Sequence, residues 1–161
     1  MPLLLRTIRK PRWYEVAWLE EGKAQADALR DLVTTENKLS VWHVEDDKSN
    51  LYQVVAAIAA TRDHASNFDY ALFDQTLLTR IRARIENTVG HTFHKEANAC
   101  WHRDIVELSA EKIAELANII MERGTKDRIS EIKVISLVKQ AVTSGIVDMH
   151  KLEDDLKRRI V

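Results

Sequence analysis

The stretch that decides the fold is residues 39–73, which reads LSVWHVEDDKSNLYQVVAAIAATRDHASNFDYALF. Its first six residues are rich in Val and Trp and run into an acidic turn at residues 45–47, which is typical of a buried strand. Ser49 then precedes apolar residues at helical spacing, so the sequence predicts a capped helix there. Residues 68–73 alternate as one face of a strand does. The stretch therefore predicts a strand, a helix and a second strand in succession.

Further elements extend this unit in both directions. Residues 13–19 alternate between bulky and other side chains, which favours a strand. Residues 23–33 carry apolar side chains at steps of three and four, which favours a helix. On the other side, Asp74 is expected to cap a helix that continues through Val89 and stops at Gly90.

Residues 13–89 thus predict strands and helices in strict alternation, an order that favours a small three-stranded sheet, parallel or mixed, with flanking helices. Residues 91–161 predict helices only. One is bounded by Ser109 and Gly124, and the next, residues 127–144, has an unusually broad apolar surface. The expected fold class is α/β (α+β), with an all-helical C-terminal extension.

The last predicted helix begins at Asp148 and carries one apolar stripe. Its members are Met149, Leu152, Leu156 and Ile160. Since 161 residues is an ordinary size for one domain, we expect a single compact domain over residues 1–161. Within it, residues 13–89 would form the sheet-containing part and residues 91–161 the helical part.

Composition and charge exclude several classes of protein. The chain has 24 Lys and Arg against 25 Asp and Glu, and its net charge of −1 excludes a strongly basic nucleic-acid coat. Nucleic acid is therefore an unlikely partner. The longest apolar run, residues 54–60, is far shorter than the roughly 20 residues that cross a bilayer, so no membrane contact is expected. A cytoplasmic location follows as the default expectation.

A group of potential metal ligands lies at residues 91–102. His91, His94, Cys100 and His102 are four nitrogen or sulfur donors within a short segment, as a structural zinc site requires. If residues 94–107 are helical, however, the Cys100 thiol points away from the imidazoles of His94 and His102. The three histidines then remain as a transition-metal site, and the alternative is that they are surface side chains beside a small buried cysteine.

A second metal site is predicted where two strands end. Asp46 and Asp47 follow the strand at residues 39–44, and Asp74 follows the strand at residues 68–73. Open α/β sheets bind ligands beyond the carboxyl ends of their strands, and such carboxylates suit Mg²⁺ and phosphoryl chemistry. No glycine-rich phosphate loop accompanies them. The alternative is that Asp74 caps a helix while the other two form a solvated turn.

The leading functional hypothesis is a non-enzymatic intracellular protein-interaction or regulatory module. Four Trp and three Tyr are many amphipathic rings for a chain with three Phe, and such rings are favoured at protein interfaces. The surplus apolar surface of the last two predicted helices favours a homodimer formed through them. The alternative is a metal-dependent enzyme that uses either metal site. No catalytic residue and no organic cofactor is predicted.

Overall fold

A six-stranded antiparallel sheet forms the centre of the computed structural model, which describes all residues, Met1–Val161. The spatial order of its strands is β4-β5-β2-β1-β3-β6. Their bounds are β1 Leu3–Thr7, β2 Leu39–Val44, β3 Phe68–Asp74, β4 Arg84–Asn87, β5 His102–Val106 and β6 Thr125–Ile129.

Five α-helices and four short 3-10 helices connect the strands. The α-helices are α1 Leu51–Ala59, α2 Lys95–Cys100, α3 Ala110–Arg123, α4 Glu131–Thr143 and α5 Asp154–Ile160. The 3-10 helices are Lys10–Trp13, Ala26–Asp31, Gln75–Ile81 and Met149–Lys151. None of the helices combines the length and the hydropathy that crossing a membrane requires.

The sheet separates two hydrophobic cores. Helices α1, α4 and α5 cover one face, and α3 with the first three 3-10 helices covers the other. Neighbouring residues of β1 therefore point into different cores, with Leu4 in one and Leu5 in the other. Because both faces are covered, side chains on both faces of the central strands are buried, including six of the seven residues of β3.

The strand–helix–strand unit predicted for residues 39–73 is confirmed as β2, α1 and β3. The predicted Ser49 cap is wrong, because Asn50 is the N-cap residue of α1 and no side chain caps the helix. The predicted ends of α3 are confirmed as well. The Ser109 hydroxyl accepts a hydrogen bond from the Lys112 N–H at 3.2 Å, and α3 ends before Gly124. A Cβ atom at Gly124 would lie 2.6 Å from the Ile120 carbonyl oxygen, so this position excludes larger residues. The α+β class is therefore correct.

The predicted three-stranded sheet is wrong, because half of the strands lie where helices were expected. The helix proposed to reach Val89 ends at Ile81, where Arg82 takes a left-handed conformation with φ 53°, and β4 follows. The C-terminal part is not all helical, since it contributes β5 and β6. Strand β6 carries one buried residue, Ile129, so its own pattern gives little indication of a strand. Residues 125–129 form a strand because they pair with β3.

Two N-terminal elements also differ from expectation. Residues 13–19 do not form a strand, since Trp13 ends the 3-10 helix Lys10–Trp13 and the following residues pair with no strand. The Trp13 ring is buried in the core, while Trp18 is 77% exposed. The Trp13 indole N–H donates to the Asp31 carboxylate at 2.8 Å, and the ring lies in the core between the sheet and α3. The predicted helix over residues 23–33 is only the 3-10 helix Ala26–Asp31, which has no side-chain cap.

Candidate functional site

A cavity of about 610 Å³ lies where α1 and α4 pack together beside the start of α2. We call it the α1–α4 cavity. Its apolar wall is formed by Ala56, Leu137, Ala141 and Ile146. The other lining residues are Tyr52, Gln53, His94, Ser136, Lys139, Gln140, Thr143 and Ser144. Lys139 is the one charged side chain of this set, and no carboxylate lines the cavity.

His94 is the least exposed polar residue of this cavity, at 2% of its surface. It is the N-cap residue of α2, and its Nδ1 atom accepts a hydrogen bond from the Ala97 N–H at 3.1 Å. Because Nδ1 accepts, the neutral ring carries its proton on Nε2. That Nε2–H is a buried donor without a partner in the protein. It is the only buried side-chain nitrogen or oxygen of the chain in this condition.

Burial keeps the His94 ring neutral. It lowers the pKa of His94, and the nearby Glu96 carboxylate opposes this effect only in part. An unsatisfied buried donor costs about 1–3 kcal/mol, and native proteins contain few of them. A hydrogen-bond acceptor from a bound molecule would remove this cost. His94 therefore combines a position in the wall of the α1–α4 cavity with a buried donor that the protein leaves unpaired.

The segment before α2 holds His94 in place. Asn98 accepts hydrogen bonds from the Thr92 N–H and hydroxyl and donates one to the Thr92 carbonyl oxygen, at 3.0, 2.6 and 2.7 Å. The Thr92 hydroxyl in turn accepts from the His94 N–H at 3.2 Å. At Gly90, a Cβ atom would lie 2.7 Å from the Trp42 ring, so the segment lies close against the core. The position of His94 is thus fixed by its own loop.

The structure does not gather the three predicted histidine ligands around one point. His102 is buried, and its ring is engaged on both sides, with Nε2 at 2.5 Å from the Ser40 hydroxyl and Nδ1 at 2.8 Å from the Thr88 hydroxyl. Burial lowers the pKa of His102. His91 is exposed and does not line the α1–α4 cavity.

Cys100 is exposed, which corrects the expectation of a small buried cysteine. The segment that contains it is not one helix, because α2 ends at Cys100 and β5 begins at His102. No three His, Cys, Asp or Glu side chains of the structure form a group that could hold a metal ion. Metal binding by the histidines stays a prediction.

The predicted acidic ligands take part in turns. Asp47 accepts from the Ser49 N–H at 2.9 Å, and Asp74 accepts from the Thr76 N–H at 2.8 Å. These hydrogen bonds lower the pKa values of Asp47 and Asp74. Asp46 pairs with the amino group of Met1 at 2.8 Å. The hydrogen bonds of Asp47 and Asp74 fit the alternative of a turn and a helix cap. Mg²⁺ binding stays a prediction.

The two strand ends that carry these acids are not neighbours. Strand β1 lies between β2 and β3, and its Leu3 is opposite Val44 on one side and Asp74 on the other. Two strand spacings, about 10 Å, therefore separate the backbones at these ends.

The stripe predicted for self-association lies inside the protein. Leu152, Leu156 and Ile160 are buried in the core that α1 and α4 share, and Met149 is half-buried. The broad apolar surface of α4 has the same explanation, since α1 and α5 both pack against it. A second copy of the chain would have to contact other residues of these helices. Self-association stays a prediction.

Sequence reasoning identified His94 but missed the rest of the cavity. The signal that could have found it lies in α4, where Ser136, Gln140 and Thr143 form a polar row at steps of four and three in an apolar helix. Nothing in the sequence places this row opposite Tyr52 and Gln53 of α1.

Comparison with known proteins gives no family for this chain. No family model matches it, and neither a curated protein nor a solved structure is significantly similar to it.

Proposed function

We propose that this protein is a non-enzymatic regulatory module that binds a small organic acid in the α1–α4 cavity. The observation that carries the proposal is the buried Nε2–H of His94. His94 lines this cavity, and its Nε2–H has no hydrogen-bond partner in the protein. The ligand would supply the missing acceptor.

The size and walls of the cavity support a small organic ligand. Its volume of about 610 Å³ lies within the range of about 300 to 1,000 Å³ found for small-molecule sites. Apolar walls with a few polar groups are typical of such sites, because the apolar part gives affinity and the polar groups fix orientation. Ala56, Leu137 and Ala141 provide the apolar part here.

Charge favours an acid over an amine. Lys139 lines the cavity and no Asp or Glu does. Lys133 adds a second cation nearby, with its Nζ atom 4.9 Å from the centre of the Tyr52 ring. A carboxylate can accept a hydrogen bond from His94 and be attracted by these ammonium groups at once. We therefore assign a carboxylic acid with an apolar body as the ligand class.

The hydrogen bonding of His94 favours binding over catalysis. A general base needs a free acceptor nitrogen within reach of the proton it removes. In His94 the acceptor nitrogen, Nδ1, is occupied by the Ala97 N–H. The ring can therefore donate a hydrogen bond to a ligand, and it has no free lone pair with which to take a proton.

The test uses phenylacetate as the acid and phenylacetamide as its uncharged counterpart, with binding followed by nuclear magnetic resonance. The key variant is His94→Asn, because an Asn side chain still caps α2 but cannot place a donor where Nε2 lies. We expect phenylacetate to bind more tightly than phenylacetamide, and the variant to bind phenylacetate about ten-fold more weakly.

Two further variants control this experiment. His91→Asn makes the same change at an exposed histidine three residues away and should leave binding unchanged. Ser136→Trp places a large ring at the cavity wall from an exposed position of α4 and should abolish binding without unfolding the protein. Equal phenylacetate binding by the wild type and His94→Asn, or no binding by the wild type, would contradict the proposal.

Self-association is the second candidate function, and one observation favours it. Ile132 at the start of α4 is 81% exposed, an unusual position for a large apolar side chain. A homodimer that buries Ile132 would use the C-terminal half of the chain. It would not use the predicted stripe of Met149, Leu152, Leu156 and Ile160.

A further inference from the structure

A second cavity, of about 530 Å³, lies beyond the end of β1 and beside the loop that follows α1. We call it the arginine cavity, after Arg9 and Arg62 in its wall. In contrast to the α1–α4 cavity, its lining is polar almost throughout, with Ile8 as the single apolar residue. It contains two buried carboxylates, those of Asp31 and Asp69.

The Asp31 carboxylate is fully occupied by the protein. Oδ1 accepts from the Arg12 guanidinium at 2.7 Å. Oδ2 accepts from the Arg9 backbone N–H at 2.9 Å and from the Trp13 indole N–H at 2.8 Å. Its negative charge is therefore compensated by Arg12, and its oxygens hold the chain segment that follows β1.

The Asp69 carboxylate is occupied in the same way. Arg128 donates to both of its oxygens, from Nε at 2.6 Å and from Nη2 at 3.0 Å. The Lys10 backbone N–H donates to Oδ2 at 2.9 Å. Neither buried carboxylate is thus available as a metal ligand or as a general base.

The two arginines of the wall have donors to spare. The Arg62 guanidinium lies 4.7 Å from the centre of the buried Phe68 ring, and its Nη1 donates to the Ser66 hydroxyl and the Asn67 carbonyl oxygen at 3.0 and 3.1 Å. These contacts fix the plane of the group and leave Nε and Nη2 without partners. The Arg9 side chain is exposed and makes no hydrogen bond or ion pair, although its backbone is held by Asp31.

The charge left over at this cavity is positive. With Asp31 and Asp69 compensated, Arg9 and Arg62 face one remaining carboxylate, that of exposed Asp63. Guanidinium groups match the geometry of phosphate oxygens, to which they donate two parallel hydrogen bonds. The Thr7 hydroxyl in the wall also lacks a partner and suits a sugar or polyol hydroxyl.

We infer that the arginine cavity binds a phosphorylated small polar molecule, with the phosphate held by the guanidinium groups of Arg9 and Arg62. The cavity is large enough for a sugar phosphate, because about 530 Å³ lies within the range of about 300 to 1,000 Å³ for small-molecule sites. This site is independent of the α1–α4 cavity, with which it shares no lining residue.

The test is calorimetric titration of the full chain with ribose 5-phosphate, ribose and inorganic phosphate at constant ionic strength. We expect ribose 5-phosphate to bind more tightly than either of the others. Arg9→Gln should weaken its binding about ten-fold. Since the Arg9 side chain is exposed and makes no hydrogen bond or ion pair, this variant should fold normally. Arg62→Lys keeps the charge but loses the planar fork, and should weaken binding by a similar factor.

Arg80→Gln is the matched control, because Arg80 is exposed, forms no ion pair and lies outside the cavity. It should leave the affinity for ribose 5-phosphate unchanged, as should His94→Asn. Equal affinity in the wild type and Arg9→Gln would overturn the inference, as would an absence of binding. Ribose that binds as well as its phosphate would also overturn it. Inorganic phosphate that binds as tightly as the ester would overturn the assignment to an organic phosphate.

Discussion

The two cavities are lined from opposite ends of α1 and differ in how their buried polar groups are paired. Tyr52, Gln53 and Ala56 of α1 line the α1–α4 cavity, and Thr61 and Arg62, just beyond its end, line the arginine cavity. The first has one buried polar atom without a partner, in a wall that combines apolar and polar side chains. The second has two buried carboxylates, and every oxygen of both has a partner. A ligand is therefore indicated in the first cavity by an unpaired buried donor, and in the second by the guanidinium groups that remain once both carboxylates are paired.

The largest loss of stability is expected from removing one of the paired carboxylates of the arginine cavity. Asp31→Ala removes the acceptor for Arg12, Trp13 and the Arg9 N–H, and leaves these donors without a partner. We expect the free energy of unfolding in urea to fall by about 3 kcal/mol. Asp27→Ala changes an exposed carboxylate of the same 3-10 helix and should cost much less. Equal losses would show that Asp31 does not hold this segment.

A smaller effect concerns the acid stability that Asp69 provides. Burial alone would raise the pKa of Asp69, but hydrogen bonds from Arg128 and from the Lys10 N–H outweigh it and hold the pKa below its usual value. The stabilisation is therefore present above about pH 4 and is lost as the pH falls through the folded-state pKa. We expect Asp69→Asn to lose about 1 kcal/mol of this pH-dependent stability in urea titrations between neutral and acid pH. An unchanged pH slope would contradict the assignment.

The unpaired donor of the α1–α4 cavity can be tested directly, by measuring the protonation state and tautomer of His94. Burial lowers its pKa, so the folded state favours the neutral ring. Stability from this group is present above about pH 6.5, the unfolded value, and declines as the pH falls below it. Nitrogen chemical shifts at neutral pH should show the proton on Nε2 and not on Nδ1. A charged ring or the opposite tautomer would remove the donor on which the binding proposal rests.

The smallest effect is expected from Ile132→Glu, which tests the second candidate function. The side chain is exposed, so the change should leave folding stability within about 0.5 kcal/mol of the wild type. Sedimentation velocity at high micromolar concentration should show a dimer for the wild type and a monomer for the variant. A wild-type monomer under these conditions would exclude self-association through this residue.

The parts of the fold that could be predicted are those whose own residues carry the pattern. Helix α1 and its neighbours β2 and β3 are apolar enough to be recognised alone, and Ser109 and Gly124 mark the ends of α3 by local chemistry. Strand β6 could not be predicted, because it is held in the strand conformation by its pairing with β3. The Asp69–Arg128 ion pair strengthens this pairing, and it joins residues far apart in sequence.

The candidate site was predictable only in part for the same reason. His94 stands out in the sequence as a potential ligand, but its role depends on two contacts that spacing does not reveal. One is the hydrogen bond from Ala97, which fixes the tautomer. The other is the packing of α4, some forty residues further along the chain, which completes the cavity wall. Nothing in the sequence indicated the arginine cavity either, because its carboxylates and arginines come together only when the sheet forms.

The central place of β1 has a consequence for how the sheet assembles. Leu3–Thr7 joins the strands β4, β5 and β2 on one side to β3 and β6 on the other, and these two groups have no other strand in common. Because β3 ends at Asp74, both edges of β1 are covered only once the chain through residue 74 has folded. Leu4 and Leu5 complete the two cores only at that stage, and we expect deletion of Leu3–Thr7 to leave two half-sheets that cannot join.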